Sequence, residues 1–286
     1  MAAPSLNALI NQTIRVKVVD IGANPIDSAP PYAGLLQAGD ADVVGFEPNR
    51  EALAKLETLK GPNETYLPHA VGDGRKHTLH LCAASGMTSL LEPNLKVLSL
   101  FHGFPSWAQV TATEKLKTVR LDDVPETEGV HLIKIDIQGG ELMVFKNAVK
   151  RLASALVIHT EVEFMQMYVD QPLFADVDLF LRQHGFVFHR FFPLTSRVIQ
   201  PMLIDNNVYA GMSQTLWADA IFVRDFTRLE LMSDEQLLRT AAIVHDCYES
   251  IDLAYHLLLE HDRRCGGQLA ATYLDGLKSS MTKAAA

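Results

Sequence analysis

Short runs of apolar and β-branched residues alternate with segments of helical periodicity along most of this chain. Strands are predicted at residues 16–20, 41–46, 65–71, 130–137, 155–164, 186–192 and 217–226. Helices are predicted between several of them, at residues 49–60, 141–152 and 173–183. This alternation predicts an α/β fold with a doubly wound, mostly parallel sheet, and the almost continuously apolar run at 130–137 is typical of its central strand.

Two further strands are predicted on either side of a long connecting segment. They lie at residues 76–82 and 115–121, and the stretch between them at 83–107 contains Gly, Ser and Pro. A stretch of this length without a clear periodicity favours a lid that covers a site.

The C-terminal part of the chain has a different pattern. Between residues 237 and 258, apolar side chains recur at spacings of four and three, which predicts one helix with a single buried seam. The seam residues are Leu237, Ala241, Val244, Tyr248, Ile251, Tyr255 and Leu258. Such a seam either packs on the parent domain or forms a homodimer. We therefore divide the chain into a domain at residues 1–230 and a helical C-terminal extension at residues 231–286.

Composition and charge argue against several classes of partner. The chain has 25 Lys and Arg against 34 Asp and Glu, a formal net charge of -9, which opposes a broad surface for nucleic acid or anionic lipid. Its apolar runs are far shorter than the ~20 residues that span a bilayer. The first residues lack the basic start and apolar run of a signal peptide, and the three cysteines form no CxxC pair. We expect a cytoplasmic protein with no nucleic-acid partner and no integral membrane segment.

The loop after the first predicted strand contains one acid and a single glycine. Asp20 ends the strand and Gly22 follows it, so the pattern is not the GxGxxG of dinucleotide-binding sites. Pro25, Pro30 and Pro31 make this loop long and stiff, which also opposes a pyrophosphate site at a helix N-terminus. The carboxylate of Asp20 instead suits a ligand with a cationic amino group, such as the methionine portion of S-adenosylmethionine.

An acid also ends the second predicted strand. Glu47 can accept two hydrogen bonds from a ribose diol, as the acids of nicotinamide-binding folds do. Glu47 alone therefore predicts a nucleoside ligand without choosing between cofactors.

Five short motifs follow one another along the chain. They are VVDIGAN at 18–24, GFEPN at 45–49, AVGD at 70–73, LDD at 121–123 and IKIDIQGGE at 133–141. This ordered set, within a region from about residue 16 to residue 226, resembles the FkbM family of S-adenosylmethionine-dependent methyltransferases. The resemblance implies a class I, Rossmann-like methyltransferase fold and S-adenosylmethionine as cofactor. Gln138 stands where many relatives carry the acid of an Asp-x-Glu-Gly pattern.

The resemblance also implies roles for individual residues. Asp20, Gly22 and Asn24 would line the methionine and ribose side of the cofactor. Glu47 would hold the ribose hydroxyls, and Asp73 would flank the adenine. The expected cofactor-binding residues are, in full, Asp20, Gly22, Ala23, Asn24, Glu47, Pro48, Asn49, Asp73 and Asp136.

Methyl transfer to a hydroxyl requires removal of its proton by a general base or with the help of a metal ion. His159, Glu161 and Glu163 alternate along their predicted strand and so share one face. With Asp136 they could bind a divalent ion, act as base and orienter, or simply pair with basic residues. The catalytic candidates are Asp136, Glu161 and, in the predicted lid, His102. A divalent metal is left open, and no metal ligand is assigned.

The sequence thus predicts an S-adenosylmethionine-dependent O-methyltransferase. By resemblance, its partner is a small-molecule or glycan acceptor that carries the hydroxyl of a sugar or of a hydroxylated metabolite. Two alternatives stay open at this point. One is a catalytically inactive nucleoside-binding or interaction protein that uses the C-terminal helix, and the other is a nicotinamide-dependent oxidoreductase.

Overall fold

A seven-stranded sheet lies at the centre of the fold in the computed structural model, which describes residues 4–24 and 29–284. The strands are β1 (Val16–Ile21), β2 (Ala41–Phe46), β3 (Glu64–Leu67), β4 (Lys76–Cys82), β5 (Val110–Lys117), β6 (Leu132–Ile135), β7 (Val157–Glu163), β8 (Phe186–Arg197) and β9 (Gln214–Arg224). The order across the main sheet is β3-β2-β1-β6-β7-β9-β8, and β4 and β5 form a separate antiparallel pair.

The main sheet is parallel except at β9. β1 pairs in parallel with β2 and β6, β2 with β3, and β6 with β7. β9 runs antiparallel to both of its neighbours, β7 and β8. The predicted α/β fold is therefore confirmed: the sheet is doubly wound, mostly parallel and Rossmann-like.

The central strands are buried on both faces because their side chains alternate between two apolar clusters. Val16 and Val18 of β1 belong to the cluster that also contains the C-terminal helices, whereas Val19 and Ile21 belong to the cluster on the opposite face. β6 divides its side chains between the same two clusters. This double burial explains the almost continuous apolar run that predicted a central strand.

Helices connect the strands and close the C-terminal end of the chain. They are α1 (Leu6–Ile10), α2 (Ala33–Gln37), α3 (Arg50–Leu59), α4 (Leu95–Leu98), α5 (Phe104–Trp107), α6 (Glu141–Lys146), α7 (Val149–Ser154), α8 (Phe174–Gln183), α9 (Asp234–Tyr248), α10 (Ile251–Cys265) and α11 (Leu269–Ala284). α3 begins after Asn49, whose side chain accepts hydrogen bonds from two backbone N–H groups of the first turn. Among the described helices, none combines the length and the apolar character needed to cross a bilayer.

Several predicted boundaries are wrong. The predicted helix at 141–152 is divided into α6 and α7, and the predicted strand at 65–71 ends at Leu67 as β3. β5 begins five residues before the predicted strand at 115–121, because almost all of its side chains are exposed and give no apolar pattern. α2 was not predicted, since a five-residue helix is too short to show a periodicity. Pro25 of the predicted stiff loop lies outside the described residues.

The prediction of a single C-terminal helix is also wrong. α9 ends at Tyr248, and Glu249 then adopts a left-handed conformation with a φ of +52° before α10 begins at Ile251. The four-three spacing of apolar residues continues across this break, so the spacing alone did not reveal it.

The apolar seam of these helices packs against the sheet of the same chain. Leu237, Ala241, Val244 and Leu258 lie in one buried cluster with residues of β1, β6 and β7. Ile251 departs from the predicted seam, with 44% of its surface exposed. The seam is therefore internal, and a homodimer through these helices stays a prediction, as does the domain boundary after residue 230.

Residues 83–108, which we call the cap, contain α4 and α5 and contribute to a third apolar cluster. Phe101 of the cap packs in this cluster with Met167 and Tyr168, which follow β7, and with Leu216 of β9. The cap thus packs where β7 ends and β9 begins. The segment that the sequence predicts as a lid is a packed layer in this structure, and its opening stays a prediction.

Leu258→Ala tests whether the C-terminal helices belong to the main core. Leu258 is fully buried, whereas its neighbour Leu259 is 44% exposed. We expect Leu258→Ala to lower the free energy of unfolding by about 2–5 kcal/mol, because it opens a cavity in the shared cluster. Leu259→Ala is the matched control and should change that free energy by less than about 0.5 kcal/mol. Denaturant unfolding measures both, and equal effects would contradict a shared core.

Candidate active site

The carboxyl ends of β1, β2 and β6 meet at one edge of the sheet. Parallel register places Asp20 of β1 between Gly45 of β2 and Lys134 of β6. Glu47 follows directly after β2, and Asp136 follows directly after β6. Ligands of open α/β sheets bind beyond such an edge. The acids that the sequence singled out on three separate strands therefore come together.

Gly22 brings the first loop into close contact with the end of β6. Its φ is +84°, and a Cβ atom added there would lie 2.1 Å from the backbone oxygen of Asp136. Any other residue would collide with the main chain. The N–H groups of Gly22 and Ala23 donate to the carbonyl of Phe46 at 3.1 and 3.0 Å, which ties the loop to β2. Ala23 is buried beneath the loop, and Asn24 is exposed at its outer end.

Asp20 is paired inside the protein. The hydroxyl of Tyr32 donates to its Oδ2 at 2.6 Å, and the ammonium of Lys134 lies 3.2 Å from its Oδ1. Burial alone would lower the pKa of Lys134, but the charges of Asp20 and then Asp136 outweigh burial and raise it, so Lys134 is a cation. A cationic ligand group would meet this ion pair rather than a lone carboxylate. Sequence reasoning missed Tyr32 and Lys134, although a lysine in an apolar strand was a visible signal.

Glu47 is a buried carboxyl group at the end of β2. Only 5% of its surface is exposed, and its Oε1 accepts a hydrogen bond from the N–H of Asn49 at 2.7 Å. Burial raises the pKa of Glu47, and the Asn49 N–H acts in the opposite direction. Pro48 and Asn49 are exposed beside it, and the Asn49 side chain is used as the cap of α3. The backbone N–H of Asn49 thus donates to Oε1 of Glu47 and not to its Oε2.

Asp73 lines a pocket beside the start of α6. Its Oδ1 accepts hydrogen bonds from the N–H of Arg75 at 2.9 Å and from the hydroxyl of Thr118 at 3.3 Å, and the His77 ring lies 2.7 Å away. Burial would raise the pKa of Asp73, but these hydrogen bonds together lower it. The residues that line the pocket are Asp73, Arg75, Leu142, Met143, Lys146, Asn147 and Pro172. The pocket therefore combines a carboxylate, two basic side chains and an amide with the apolar side chains of Leu142, Met143 and Pro172.

Three carboxyl groups gather beyond the end of β6. One oxygen each of Asp136, Glu141 and Glu161 lies within 4.8 Å of the others, a spacing that could hold a metal ion. Glu141 begins α6 and accepts hydrogen bonds from the N–H groups of Ile137 at 2.9 Å and Gly139 at 3.3 Å. Glu141 stood in a sequence motif but was given no role, because its proximity to β7 depends on the fold.

Burial is the largest influence on the pKa of Glu161, Glu163 and Glu141. It raises the pKa of Glu161 and of Glu163 well above the usual range, and the charges of nearby carboxylates act in the same direction. Burial also raises the pKa of Glu141, to about 7, against the opposing effect of its backbone hydrogen bonds. Burial therefore favours the protonated forms of Glu161 and Glu163, and a protonated carboxyl group can donate a hydrogen bond.

Gln138 connects the carboxyl groups to the cap. Its Nε2 donates to Oδ1 of Asp136 at 3.0 Å and to Oε2 of Glu161 at 2.8 Å. Its Oε1 accepts from the hydroxyl of Tyr168 at 3.0 Å, and its backbone oxygen accepts from the hydroxyl of Ser89 at 2.6 Å. The sequence marked Gln138 only as a departure from a family pattern. Its contacts place it at the centre of the site.

His159 has its own partners on β9 and α9. β9 brings Asp219 within 3.2 Å of its Nε2, and α9 brings the hydroxyl of Tyr248 within 3.2 Å of its Nδ1. Both ring nitrogens therefore have partners. The hypothesis that His159, Glu161 and Glu163 bind a divalent ion with Asp136 is corrected, because among the described residues the acids spaced to hold an ion are Asp136, Glu141 and Glu161. Asp219 lies about sixty residues further along the chain, so local sequence gave no sign of this pairing.

His102 lies in the cap and contacts the segment between β8 and β9. Its Nε2 lies 3.0 Å from the backbone oxygen of Met202. Asp136, Gln138 and Glu161 are joined by direct hydrogen bonds, and His102 is not part of that network within the described residues. A catalytic role for His102 stays a prediction.

The solved structures that this chain is similar to are distant in sequence. A putative methyltransferase from Thermoplasma acidophilum is 9% identical, with a TM-score of 0.35, and the match covers 76% of this chain and 72% of that one. An antibiotic-related methyltransferase is 12% identical, with a TM-score of 0.35 and coverage of 78% and 96%. A variant of the 16S rRNA (adenine(1408)-N(1))-methyltransferase from Catenulisporales acidiphilia, with cosubstrate SAM, is 11% identical, with a TM-score of 0.37 and coverage of 77% and 89%. No curated protein matches the chain significantly.

The family comparison identifies the chain. The family described as methyltransferase FkbM domain matches residues 20–188, which is more than half of the 286 residues. The match begins at Asp20 and continues through the cap, α6 and β7, so it includes the carboxyl ends of β1, β2 and β6 that form the edge described above. The oxidoreductase alternative is thereby set aside. As the motif resemblance predicted, the chain belongs to the FkbM methyltransferase family, and S-adenosylmethionine is its methyl donor.

Proposed function

We propose that this chain is an O-methyltransferase that methylates a hydroxyl of a sugar, a glycan or a hydroxylated metabolite. The position of Asp136 carries the proposal. Asp136 follows β6 where the Gly22 loop touches the main chain, and Gln138 holds one oxygen of its carboxylate. A hydroxyl acceptor must lose a proton during methylation, and a carboxylate at the cofactor edge is suited to accept it.

The residues at the edge fit the parts of the cofactor. Glu47 suits the ribose hydroxyls, because Asn49 engages its Oε1 and its Oε2 can accept a further hydrogen bond. The pocket beside Asp73 suits an adenine ring, since Leu142 and Met143 offer apolar contact and the Asp73 carboxylate can accept from an amino group. S-adenosylmethionine supplies a methyl group on a positively charged sulfur, so transfer depends on alignment and needs no covalent enzyme intermediate.

Asp136 and Glu161 have different roles in the proposal. Asp136 accepts the hydroxyl proton at Oδ2, because Gln138 engages Oδ1. Glu161 orients the acceptor by donating a hydrogen bond from its protonated form, which burial favours by raising its pKa. His102 is left out of this mechanism because its imidazole contacts the Met202 carbonyl.

Glu47→Ala tests the ribose contact. We expect S-adenosylmethionine to bind more weakly by about 2–3 kcal/mol, because a hydrogen-bonded, charged acceptor is lost. Titration calorimetry with S-adenosylmethionine and S-adenosylhomocysteine measures the change, with NAD as a ligand that should not bind. Glu51→Ala is the matched control, because Glu51 is an exposed acid in the first turn of α3. Unchanged affinity of the Glu47 variant would remove Glu47 from the ribose site.

Asp136→Asn tests the general base. We expect methyl transfer to fall by about 10²–10⁴-fold, the usual contribution of a general base, while S-adenosylmethionine still binds. Radiolabelled methyl transfer to a panel of sugars, glycans and hydroxylated metabolites measures turnover, and calorimetry measures binding. Asp123→Asn, at an exposed acid, is the control. Full activity of the Asp136 variant would contradict its role, and transfer to nitrogen acceptors alone would contradict O-methylation.

A further inference from the structure

The amide of Gln138 lies between two carboxyl groups. Its nitrogen is 3.0 Å from Asp136 Oδ1 and 2.8 Å from Glu161 Oε2. A side-chain amide has two N–H donors, so each carboxyl group receives one of them. A divalent cation that bridges two carboxylates would occupy a similar position. The same place therefore cannot hold both the amide and a bridging ion.

The surroundings determine which end of the amide faces the acids. Two carboxyl groups on one side favour the NH₂ end, because a carbonyl oxygen there would face other acceptors. On the other side, the hydroxyl of Tyr168 donates to Oε1 at 3.0 Å. Tyr168 is itself buried in the cap cluster. The amide is thus held from both ends.

The backbone of Gln138 is held as firmly as its side chain. Its φ is +61°, in the left-handed region that residues other than glycine seldom adopt. The hydroxyl of Ser89 donates to its backbone oxygen at 2.6 Å. Backbone strain of this kind persists where surrounding contacts over-determine it. The cap and the loop after β6 together fix the amide against Asp136 and Glu161.

We infer that Gln138 takes the place of a divalent cation in this site and acts as the positioning residue for Asp136. The amide contacts Asp136 and Glu161 from one point, as a bridging metal ion would. Glu141, the third acid within reach, already accepts two backbone hydrogen bonds. This inference rests on the proposed roles of Asp136 and Glu161, and it assigns the acceptor side of the site a metal-independent design.

Gln138→Glu should convert the position into a cation site. The substitution keeps the length of the side chain, replaces the two donors by a carboxylate and adds a negative charge beside Asp136 and Glu161. Mn²⁺ prefers such oxygen ligands, and affinity for hard cations rises with the charge of the ligand set. We expect Q138E to bind Mn²⁺ at least about tenfold more tightly than the wild type, measured by calorimetry and by electron paramagnetic resonance without cofactor.

Two controls separate this gain from a general charge effect. Gln109→Glu adds the same charge at an exposed position directly after the cap and should leave Mn²⁺ affinity at the wild-type level. The double variant Gln138→Glu with Glu161→Gln should lose the gain, because one ligand is removed again. Thermal melting shows whether each variant is folded.

Two results would overturn the inference. The first is saturable Mn²⁺ binding by the wild type that Asp136→Asn abolishes, and this result stands even where Q138E does not fold. The second is a folded Q138E with no gain in Mn²⁺ affinity. Both are independent of methyl transfer. Calorimetry with S-adenosylmethionine on the same wild-type sample distinguishes failure of the proposed function, which would appear as absent cofactor binding, from failure of this inference.

Discussion

The parallel pairing of β1 with β6 is the constraint on which the site depends. Its register puts Asp20 beside Lys134, and their contact at 3.2 Å allows two opposite charges within an otherwise apolar sheet. The same pairing continues into the loops, where Gly22 approaches the backbone oxygen of Asp136. A side chain at position 22 would push these loops apart. The cofactor edge and the proposed base would then no longer be adjacent.

The acids at this edge are tolerated because few of them carry an unpaired charge. Burial raises the pKa of Glu161 and of Glu163 and so favours their protonated forms. Glu141 is stabilised by backbone N–H groups, and Asp136 receives the amide of Gln138. Like charges a few ångströms apart in a poorly hydrated site would otherwise oppose folding. The site therefore places the carboxyl group of Asp136 beside acids whose protonation is favoured by burial.

The sequence predicted correctly those elements whose position is set by interactions between neighbouring residues. β2 lies at the predicted residues, and Asn49 caps α3 as its side chain indicated. Asp20 and Glu47 were found because they stand at the ends of apolar strands, where a charge has little reason to occur without a partner or a ligand, and Asp136 was found through the motif resemblance. Elements without a local signal were missed. β5 is exposed and polar, and the turn at Glu249 preserves the apolar spacing on both sides.

By itself, the sequence determined the alternation of strands and helices, the acids at the strand ends and the family to which the chain belongs. These are carried by short runs of neighbouring residues. Only the tertiary structure decided the partners of those acids, because each partner comes from a distant element. Asp219 of β9 takes His159 out of the predicted cluster, Glu141 of α6 takes its place, and Tyr168 fixes the amide of Gln138. Side-chain contacts across strands depend on the order and register of the strands in the sheet, and no single segment of the sequence specifies that order.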